Sequence, residues 1–273
     1  MILQLILLKV IKMSDSLIDY FKNNKPTDPN LDFHLSKIKI VEEFLIKYSL
    51  PKDLFFKNKE DVFLKKDLEQ KYSAYNPTTN NVVYINEDDI IHELFHMASS
   101  NRKDKSTGIT RNINGKKVNV GLDEGITDMF ASFVDKNMKI QHILEEISAE
   151  ILFKTFGIQV FYGYFNNSYE EFISSFSGQV KYNIEDLLEL LDEYHFLKFY
   201  IYRTESTSDL EKLHELSYDI VANFFDLYEV LNLDKNDLME LIQNLFSRVS
   251  EDDQNFLGIN KITLDDFCND FGI

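Results

Sequence analysis

The sequence of 273 residues has little cysteine, no tryptophan and no excess of positive charge. Its one cysteine, Cys268, excludes a disulfide within the chain and fits a reducing compartment. The formal net charge of −17 opposes binding to nucleic acid and anionic lipid, because both are recognised through basic patches. We therefore predict no nucleic-acid partner. Composition leaves the oligomeric state open.

Long apolar runs are also lacking. Residues 1–8 are almost wholly apolar, but a membrane-spanning helix needs about 20 such residues. The lysines follow this run, whereas a secretory signal places its positive charge before the apolar run and a small-residue cleavage site after it. We predict no membrane span and a cytoplasmic location, with export by another route left open. Residues 1–12 are either a short docking segment or an extension upstream of the natural start.

Apolar residues make up 44% of the chain, and its 23 phenylalanines and 14 tyrosines supply material for a core. Helices are predicted at 14–25 and 31–49, on either side of a turn cluster with two prolines. Residues 52–74 have a mixed pattern and are not assigned. Residues 75–81 are typical of a turn, and the β-branched and aromatic residues 82–85 predict a strand.

The next helix is predicted to begin after the N-cap Asn86 and to end near Ser100. Asn114-Gly115 between alternating flanks predicts a β-hairpin over 108–121, followed by a helix over 123–136. Helical patterns dominate from residue 140, with breaks at 166–168, 177–179 and 204–208. The acidic stretch 185–192 is predicted to be the solvated face of a helix, since it lacks the spacing of a calcium loop.

The residues that point to chemistry are His92-Glu93-Leu94-Phe95-His96. Residues four apart lie on one helix face, so both imidazoles can reach one metal ion. Glu93 then stands beside that ion, where it can take a proton from water. A catalytic zinc site normally has three protein ligands and one water, so a third ligand is required.

Glu124 is the best candidate for the third ligand. Asp128 follows it by four residues and shares its helix face. A histidine ligand usually donates its other ring N–H to a carboxylate, and Asp128 could accept that bond from His92 or His96. The alternative interpretation of Glu124 is an ordinary acidic residue in the first turn of a helix, where negative charge is favoured.

The motif HELFH (92–96) followed by GLDEGITDMFA (121–131) resembles the gluzincin group of zinc metallopeptidases over about residues 75–136. Glu124 with Asp128 is similar to the thermolysin-like branch, and Glu124-Gly125 to the aminopeptidase branch. The stretch 122–167 also looks like uncharacterised gluzincin-like proteins of low-GC bacteria. The resemblance implies a zincin-like fold and one zinc ion. It further implies that His92, His96 and Glu124 are the zinc ligands, Glu93 the general base and Asp128 the partner of His92.

Three features depart from the family. The 27 residues between His96 and Glu124 exceed the usual gap, and the predicted hairpin would fill it. Asp123 stands where the family has asparagine. No motif for gripping a free N-terminus is present, which favours endopeptidase over aminopeptidase action.

The predicted fold is therefore α+β and zincin-like, with a small N-terminal β-sheet, an active-site helix and a mainly helical C-terminal half. Its predicted parts are an N-terminal segment (1–30), a catalytic core (31–136) and a helical subdomain (137–273). The predicted function is a zinc-dependent metallopeptidase that cleaves peptide or protein substrates. The alternatives are a regulatory protease with a single protein target and a non-catalytic, zinc-stabilised binding module. Glu93 favours an enzyme, because a structural zinc has no use for a base.

Peptide hydrolysis also requires a donor for the oxyanion. Candidates in the C-terminal half share a hydrogen-bond donor: Tyr162, Tyr164, Tyr194, His195, Tyr200, Arg203 and His214. Tyr164 is favoured because it lies in the stretch with the family resemblance. The strand at 82–85 is predicted either as an edge strand to which an extended substrate adds or as an ordinary strand. His34 and His142 are isolated in the sequence and are predicted to be solvated or core residues.

Overall fold

The computed structural model describes residues 30–136 and 140–258. It is α+β and mostly helical, as predicted. The helices in chain order are α1 (Leu31–Lys47), α2 (Asp53–Lys59), α3 (Asp89–Ala98), α4 (Val120–Val134), α5 (Ile143–Phe156), a 3-10 turn (Ile158–Phe161), α6 (Tyr162–Phe165), α7 (Tyr169–Ser174), α8 (Gly178–Thr204), α9 (Leu210–Val230), α10 (Lys235–Phe246) and α11 (Glu251–Leu257). The helix predicted at 14–25, the segment 1–12 and Cys268 lie outside the described residues.

The main sheet has three strands, β1 (Phe63–Lys66), β2 (Ala74–Asn76) and β3 (Asn81–Tyr84), in the order β1-β3-β2. β3 pairs in parallel with β1 and antiparallel with β2. The predicted strand at 82–85 is thus observed as β3, but its prediction as an edge strand is wrong, because β3 lies between two others. β2 is an outer strand that the sequence did not predict. The turn predicted at 75–81 is confined to its later residues, where the Asn76 side chain accepts the N–H groups of Thr78 and Thr79.

Two short pairs of strands follow α3. β4 (Ser100–Asn101) pairs with β5 (Ser106–Thr107), and β6 (Arg111–Ile113) pairs with β7 (Lys116–Val118). Asn114 and Gly115 join β6 to β7 with φ angles of 53° and 83°. Positive φ at both central residues is the requirement of a type I′ turn, so the predicted hairpin is confirmed.

The two helices that carry the motifs begin elsewhere than predicted. α3 begins at Asp89 rather than directly after Asn86, because the Ser73 hydroxyl accepts the Ile85 N–H and donates to Asp89, which fixes the link between β3 and α3. α4 begins at Val120 rather than at 123. The carboxylate of Asp192 on α8 accepts backbone N–H groups at the start of α4 and so caps it from a distant part of the chain.

α3 is the central helix of the part that holds the motifs. Its residues 90–98 are all buried, and it packs against α1, α2, the main sheet and α4. α4 packs in turn against α5 and α8. One apolar core extends from Ile38 to Leu257 and therefore crosses the predicted division at residue 136. Among the described residues, no helix combines the length and apolar character needed to cross a membrane.

Gly125 sets the distance between α4 and α5. A Cβ atom at this position would lie 2.1 Å from the carbonyl oxygen of Glu145, a separation that real side chains do not reach. Glycine therefore allows the start of α5 to lie directly on α4, beside Glu124. The close approach brings residues 142–146 next to the HELFH motif.

Candidate metal centre

Three side-chain atoms from the two motif helices converge on one point. Nε2 of His96 lies 3.1 Å from Nε2 of His92 and 3.1 Å from Oε2 of Glu124. Nε2 of His92 lies 3.3 Å from the same Oε2. Four-coordinate zinc with ligand bonds of about 2.0–2.1 Å separates neighbouring donor atoms by about 3.3–3.4 Å. The separations in the structure fit such an ion.

The partner of His92 shows why a cation fits there. Oδ1 of Asp128 lies 2.6 Å from Nδ1 of His92, and Oδ2 accepts the backbone N–H groups of Gln141 and His142. Because a carboxylate only accepts, Nδ1 of His92 donates to Asp128, which leaves Nε2 facing Oε2 of Glu124. Burial lowers the pKa of His92, but Asp128 and Glu124 outweigh burial and hold the pKa well above its usual value. The site thus favours positive charge between Nε2 and Glu124, carried either by a proton on Nε2 or by a metal ion.

Opposing effects set the charge on Glu124. Burial raises the pKa of its carboxyl, but the adjacent His96 and His92 outweigh burial and hold the pKa well below its usual range. The side chain remains 23% exposed, whereas those of His92 and His96 are 8% and 9% exposed. The site thus reaches solvent on the side of Glu124.

His96 is supported by groups that the sequence analysis did not assign. Nδ1 of His96 lies 3.7 Å from Oδ2 of Asp123 and 3.5 Å from Oγ1 of Thr127. Asp123 is held by the backbone N–H of Ile109 and the hydroxyl of Thr107. Burial raises its pKa to about 7, although His96 opposes that shift. The departure from the family at position 123 therefore places a carboxyl group beside a predicted ligand.

Tyr164 does not lie where an oxyanion donor is needed. It is fully buried, and its hydroxyl lies 2.7 Å from Oγ1 of Thr127, on the Nδ1 side of His96. The converging donor atoms are on the opposite side of that imidazole. The structure thus argues against the predicted role of Tyr164 as the oxyanion donor. Instead, Tyr164 contacts Thr127, which lies beside Nδ1 of His96.

Glu93 lies on the same helix as the two histidines and is buried. Burial raises the pKa of its carboxyl above the ordinary value, with His92 and His96 opposing and Glu124 reinforcing the shift. The backbone N–H of Tyr75, in the outer strand β2, faces this carboxyl and favours its charged form. Glu93 therefore lies between the predicted ligands and an outer strand of the sheet.

His142 lies beside this site. Its prediction as a solvated or core residue is confirmed in that the ring is buried, but that prediction missed the contact with Glu124. His142 is at the N-terminus of α5, with Nε2 3.5 Å from Oε2 of Glu124. The donor atoms of His142, His92 and Glu124 all lie within 4.8 Å of one another, so these three residues could hold a metal ion. The pKa of His142 is lowered to about 4 by burial, which keeps the ring neutral. His34, the other histidine predicted as isolated, is buried against the hydroxyl of Tyr84.

A second buried cluster lies behind His142. Oε1 of Glu145 lies 2.5 Å from Nζ of Lys198, 3.1 Å from Nδ1 of His195 and 3.9 Å from Nδ1 of His142. Burial alone would raise the pKa of Glu145, but Lys198 and the two histidines hold it well below its usual range. His142, Glu145 and His195 could also hold a metal ion. However, the ammonium group of Lys198 already neutralises Glu145 and would repel a second cation.

The other residues predicted as possible donors to the oxyanion contact different groups. His195 stacks on His142, with ring centroids 5.4 Å apart, and so lies one ring further from Glu124. Tyr194 is buried, and His214 faces the carbonyl of Phe256. Within the described chain, no hydrogen bond or ion pair to the converging atoms is recorded for Tyr162, Tyr194, Tyr200, Arg203 or His214.

Comparisons of the whole chain with protein-family models, with curated proteins and with solved structures give no match. The resemblance to gluzincins therefore stays a prediction that depends on the motif residues. The described structure adds the convergence of those residues on one point. The chain has buried histidine and glutamate groups that could hold a metal ion.

Proposed function

We propose that this chain is a zinc-dependent metallopeptidase with a zincin-like fold, in which His92, His96 and Glu124 bind one zinc ion. The observation that supports the proposal most directly is the convergence of two imidazole nitrogens and one carboxylate oxygen within 3.3 Å of one another. Three protein donors with an exposed side are typical of a catalytic zinc. The position of Glu93 beside them supports hydrolysis.

When bound, zinc would polarise the scissile carbonyl and lower the pKa of a water molecule to about 7. Glu93 accepts the proton of the attacking water and later passes it to the leaving nitrogen. Attack forms the new carbon–oxygen bond and places negative charge on the substrate oxygen. The carbon–nitrogen bond breaks when that oxygen re-forms the carbonyl and the nitrogen leaves with the proton from Glu93, which leaves a carboxylate and an amine. Asp128 holds His92 in the tautomer whose Nε2 can bind the metal. Asp123 and Thr127 lie on the Nδ1 side of His96 and support that ring.

His142 takes the place of Tyr164 as the proposed donor to the oxyanion. Its ring is neutral, and its Nδ1 has no hydrogen-bond partner among the described residues. We therefore place the proton on Nε2, the nitrogen that faces Glu124. An N–H at this position can donate to negative charge that develops on the substrate oxygen. The stacking of His142 on His92 and His195 fixes the direction of that donor.

The substrate proposed for this site is an extended segment of a peptide or protein. β2 is an outer strand, and its Tyr75 faces the proposed base. A peptide that adds to β2 by main-chain hydrogen bonds would pass beside Glu93. A substrate that binds along β2 in this way does not need a free N-terminus at the site, which agrees with endopeptidase action. A regulatory protease with one protein target would use the same strand but would cleave a peptide library poorly.

One observation favours a non-catalytic alternative. If His142 binds the metal through Nε2, the site has four protein ligands, and four protein ligands are the mark of a structural zinc. The chain would then be a zinc-stabilised binding module. The two functions predict different behaviour of a His142→Ala variant, because the enzyme needs three ligands and the module needs four.

The first experiment measures bound metal in the purified parent protein and in His96→Ala and Glu124→Ala. We expect about one zinc per chain in the parent and loss of it in both variants. His142→Ala should keep zinc and slow peptide cleavage if the chain is an enzyme. Loss of zinc in His142→Ala, together with an inactive parent, would instead support the binding module.

The second experiment tests the base with Glu93→Gln, a variant of the same size without the charge. It should keep zinc and lose at least about 100-fold in the rate of peptide cleavage, the lower range for a general base. Cleavage of a peptide library is measured by mass spectrometry, with Glu240→Gln on an exposed part of α10 as control. Undiminished cleavage by Glu93→Gln would overturn the assignment of the base.

A further inference from the structure

A groove of about 450 Å³ lies between α8 and α9, and both helices line it with acidic side chains at helical spacing. α8 contributes Asp186, Glu189 and Glu193, and α9 contributes Asp219 and Asp226. Residues three, four or seven positions apart share one helix face. The two acidic stripes therefore face one groove from opposite sides.

The groove has more negative charge than the protein neutralises. Among the described residues, the only ion pair recorded for these five carboxylates is that of Lys212 with Glu193. Like charges three or four residues apart destabilise a helix, and Asp186, Glu189 and Glu193 of α8 repeat that spacing. The excess of negative charge creates a local field that attracts cations.

Asn223 provides a second and independent sign of a ligand. It lies on the groove-facing side of α9 and is 9% exposed. Its Oδ1 has no hydrogen-bond partner among the described residues. A buried polar group without a partner destabilises the fold. A ligand that brings hydrogen-bond donors into the groove would give this amide a partner.

The groove does not have the geometry of a site for a bare metal ion. Across the described chain, the sets of three donor atoms within 4.8 Å of one another belong to the metal centre and its neighbouring cluster, and the groove supplies none. The two ends of each stripe are seven residues apart, about 10 Å along the helix, which is too far for both to bind one ion. The volume is in the range of sites that bind molecules of many atoms.

We propose that this groove binds a basic segment of a partner protein, with lysine or arginine side chains lying between the two acidic stripes. Leu190 and Ala222 also line the groove and offer apolar surface to the methylene stems of those side chains. The ammonium or guanidinium groups then meet carboxylates on either side, next to the lining residue Asn223. This proposal does not depend on zinc or on hydrolysis.

The test uses the full chain with Glu93→Gln, so that no cleavage consumes the probe. A fluorescent Lys/Arg-rich peptide is titrated and its anisotropy measured, beside a peptide of the same length with glutamine at the basic positions. We expect the basic peptide to bind and Asp219→Asn/Asp226→Asn to weaken it at least tenfold. Asp237→Asn/Glu240→Gln, which removes the same charge from the exposed face of α10, should leave the affinity within about twofold.

Equal weakening by the two double variants would show attraction by the net charge of the whole chain and would overturn the proposal. Calcium ions alone are titrated in parallel. Displacement of the peptide by one calcium ion per chain, lost in the groove variant, would also overturn it in favour of a metal site. Asn223→Leu changes no charge and should weaken the peptide as well. An unchanged affinity in Asn223→Leu would contradict the proposed binding mode.

Discussion

The candidate metal centre and the acidic groove both concentrate carboxylates, but they neutralise them in different ways. At the metal centre, Asp128 meets a histidine and two backbone N–H groups, and Glu145 meets a lysine and a histidine. In the groove, five carboxylates meet one lysine. The first set is buried and the second is exposed.

Burial explains this difference. An unpaired charge in the interior is strongly unfavourable, so a buried carboxylate persists only with close partners. An exposed carboxylate is solvated, and its repulsion by neighbours is weak and screened by salt. A charge excess can therefore remain on the surface at little expense to the fold. Removal of a carboxylate's partner should therefore lower stability strongly at the candidate metal centre and weakly in the groove.

The largest effect is expected from Lys198→Met, which leaves Glu145 buried without its cation. Removal of one partner from a buried ion pair lowers stability by about 3–5 kcal/mol. Urea denaturation of the zinc-free protein measures the change without interference from metal binding. Glu145→Leu combined with Lys198→Met should regain most of the loss, because neither charge of this pair then remains.

Lys212→Met provides the matched control, since Lys212 pairs with Glu193 on the surface. Exposed pairs contribute little, so we expect a much smaller loss of stability than in Lys198→Met. If Lys198→Met and Lys212→Met lowered stability equally, the contrast between buried and exposed carboxylates would not hold.

Glu146 has a buried carboxyl group in which one oxygen lacks a hydrogen-bond partner within the described chain. Its Oε1 is buried without a partner among the described residues, and burial together with Glu150 raises its pKa from 4.5 to about 8. The unfolded chain releases this proton near pH 4.5, whereas the folded chain retains it to about pH 8. The stabilising effect of the bound proton is therefore complete below pH 4.5 and declines as the pH rises to 8.

Glu146→Gln should remove that decline. We expect little change in stability at pH 4.5 and a gain of up to about 4 kcal/mol at pH 8, measured by urea denaturation at both pH values. Glu240→Gln, on the exposed face of α10, should follow the parent at each pH. Parallel pH profiles of Glu146→Gln and the parent would contradict the raised pKa.

Local patterns explain how much of the metal centre could be predicted. The spacing of His92 and His96 and that of Glu124 and Asp128 are properties of single helices, and the hairpin depends on Asn114-Gly115. The structure brings these predicted residues together. His142 could not be found in this way, because it is a lone histidine 18 residues after Glu124. Its position follows from the packing of α5 on Gly125, a contact between two helices.

The same reason applies to the fold and the groove. β2 has three residues and polar neighbours, so only its pairing with β3 makes it a strand. The acidic residues of α8 were predicted as a solvated face, and they are exposed. The sequence gives no sign that the acidic stripe of α9 lies opposite, because helix pairing depends on the whole core. Residues within one helix were predictable, whereas contacts between distant elements were not.

The smallest effect is expected in the groove. Asp219→Asn/Asp226→Asn removes two charges that face the α8 stripe across the groove, and an exposed pair of charges contributes about 0.2–1 kcal/mol. We therefore predict a gain in stability of about 0.5 kcal/mol at low salt, measured by urea denaturation without any ligand. The gain should vanish at about 1 M salt, where the screening length falls to about 3 Å.

Asp237→Asn/Glu240→Gln is again the control, because it changes the net charge equally outside the groove. If it stabilised the protein as much, repulsion over the whole chain would be responsible and the groove would have no local excess. A gain confined to the groove variant and sensitive to salt would show that the carboxylates repel one another in the free protein. A basic ligand would relieve the same repulsion on binding, so the peptide should raise the stability of the parent more than that of the groove variant.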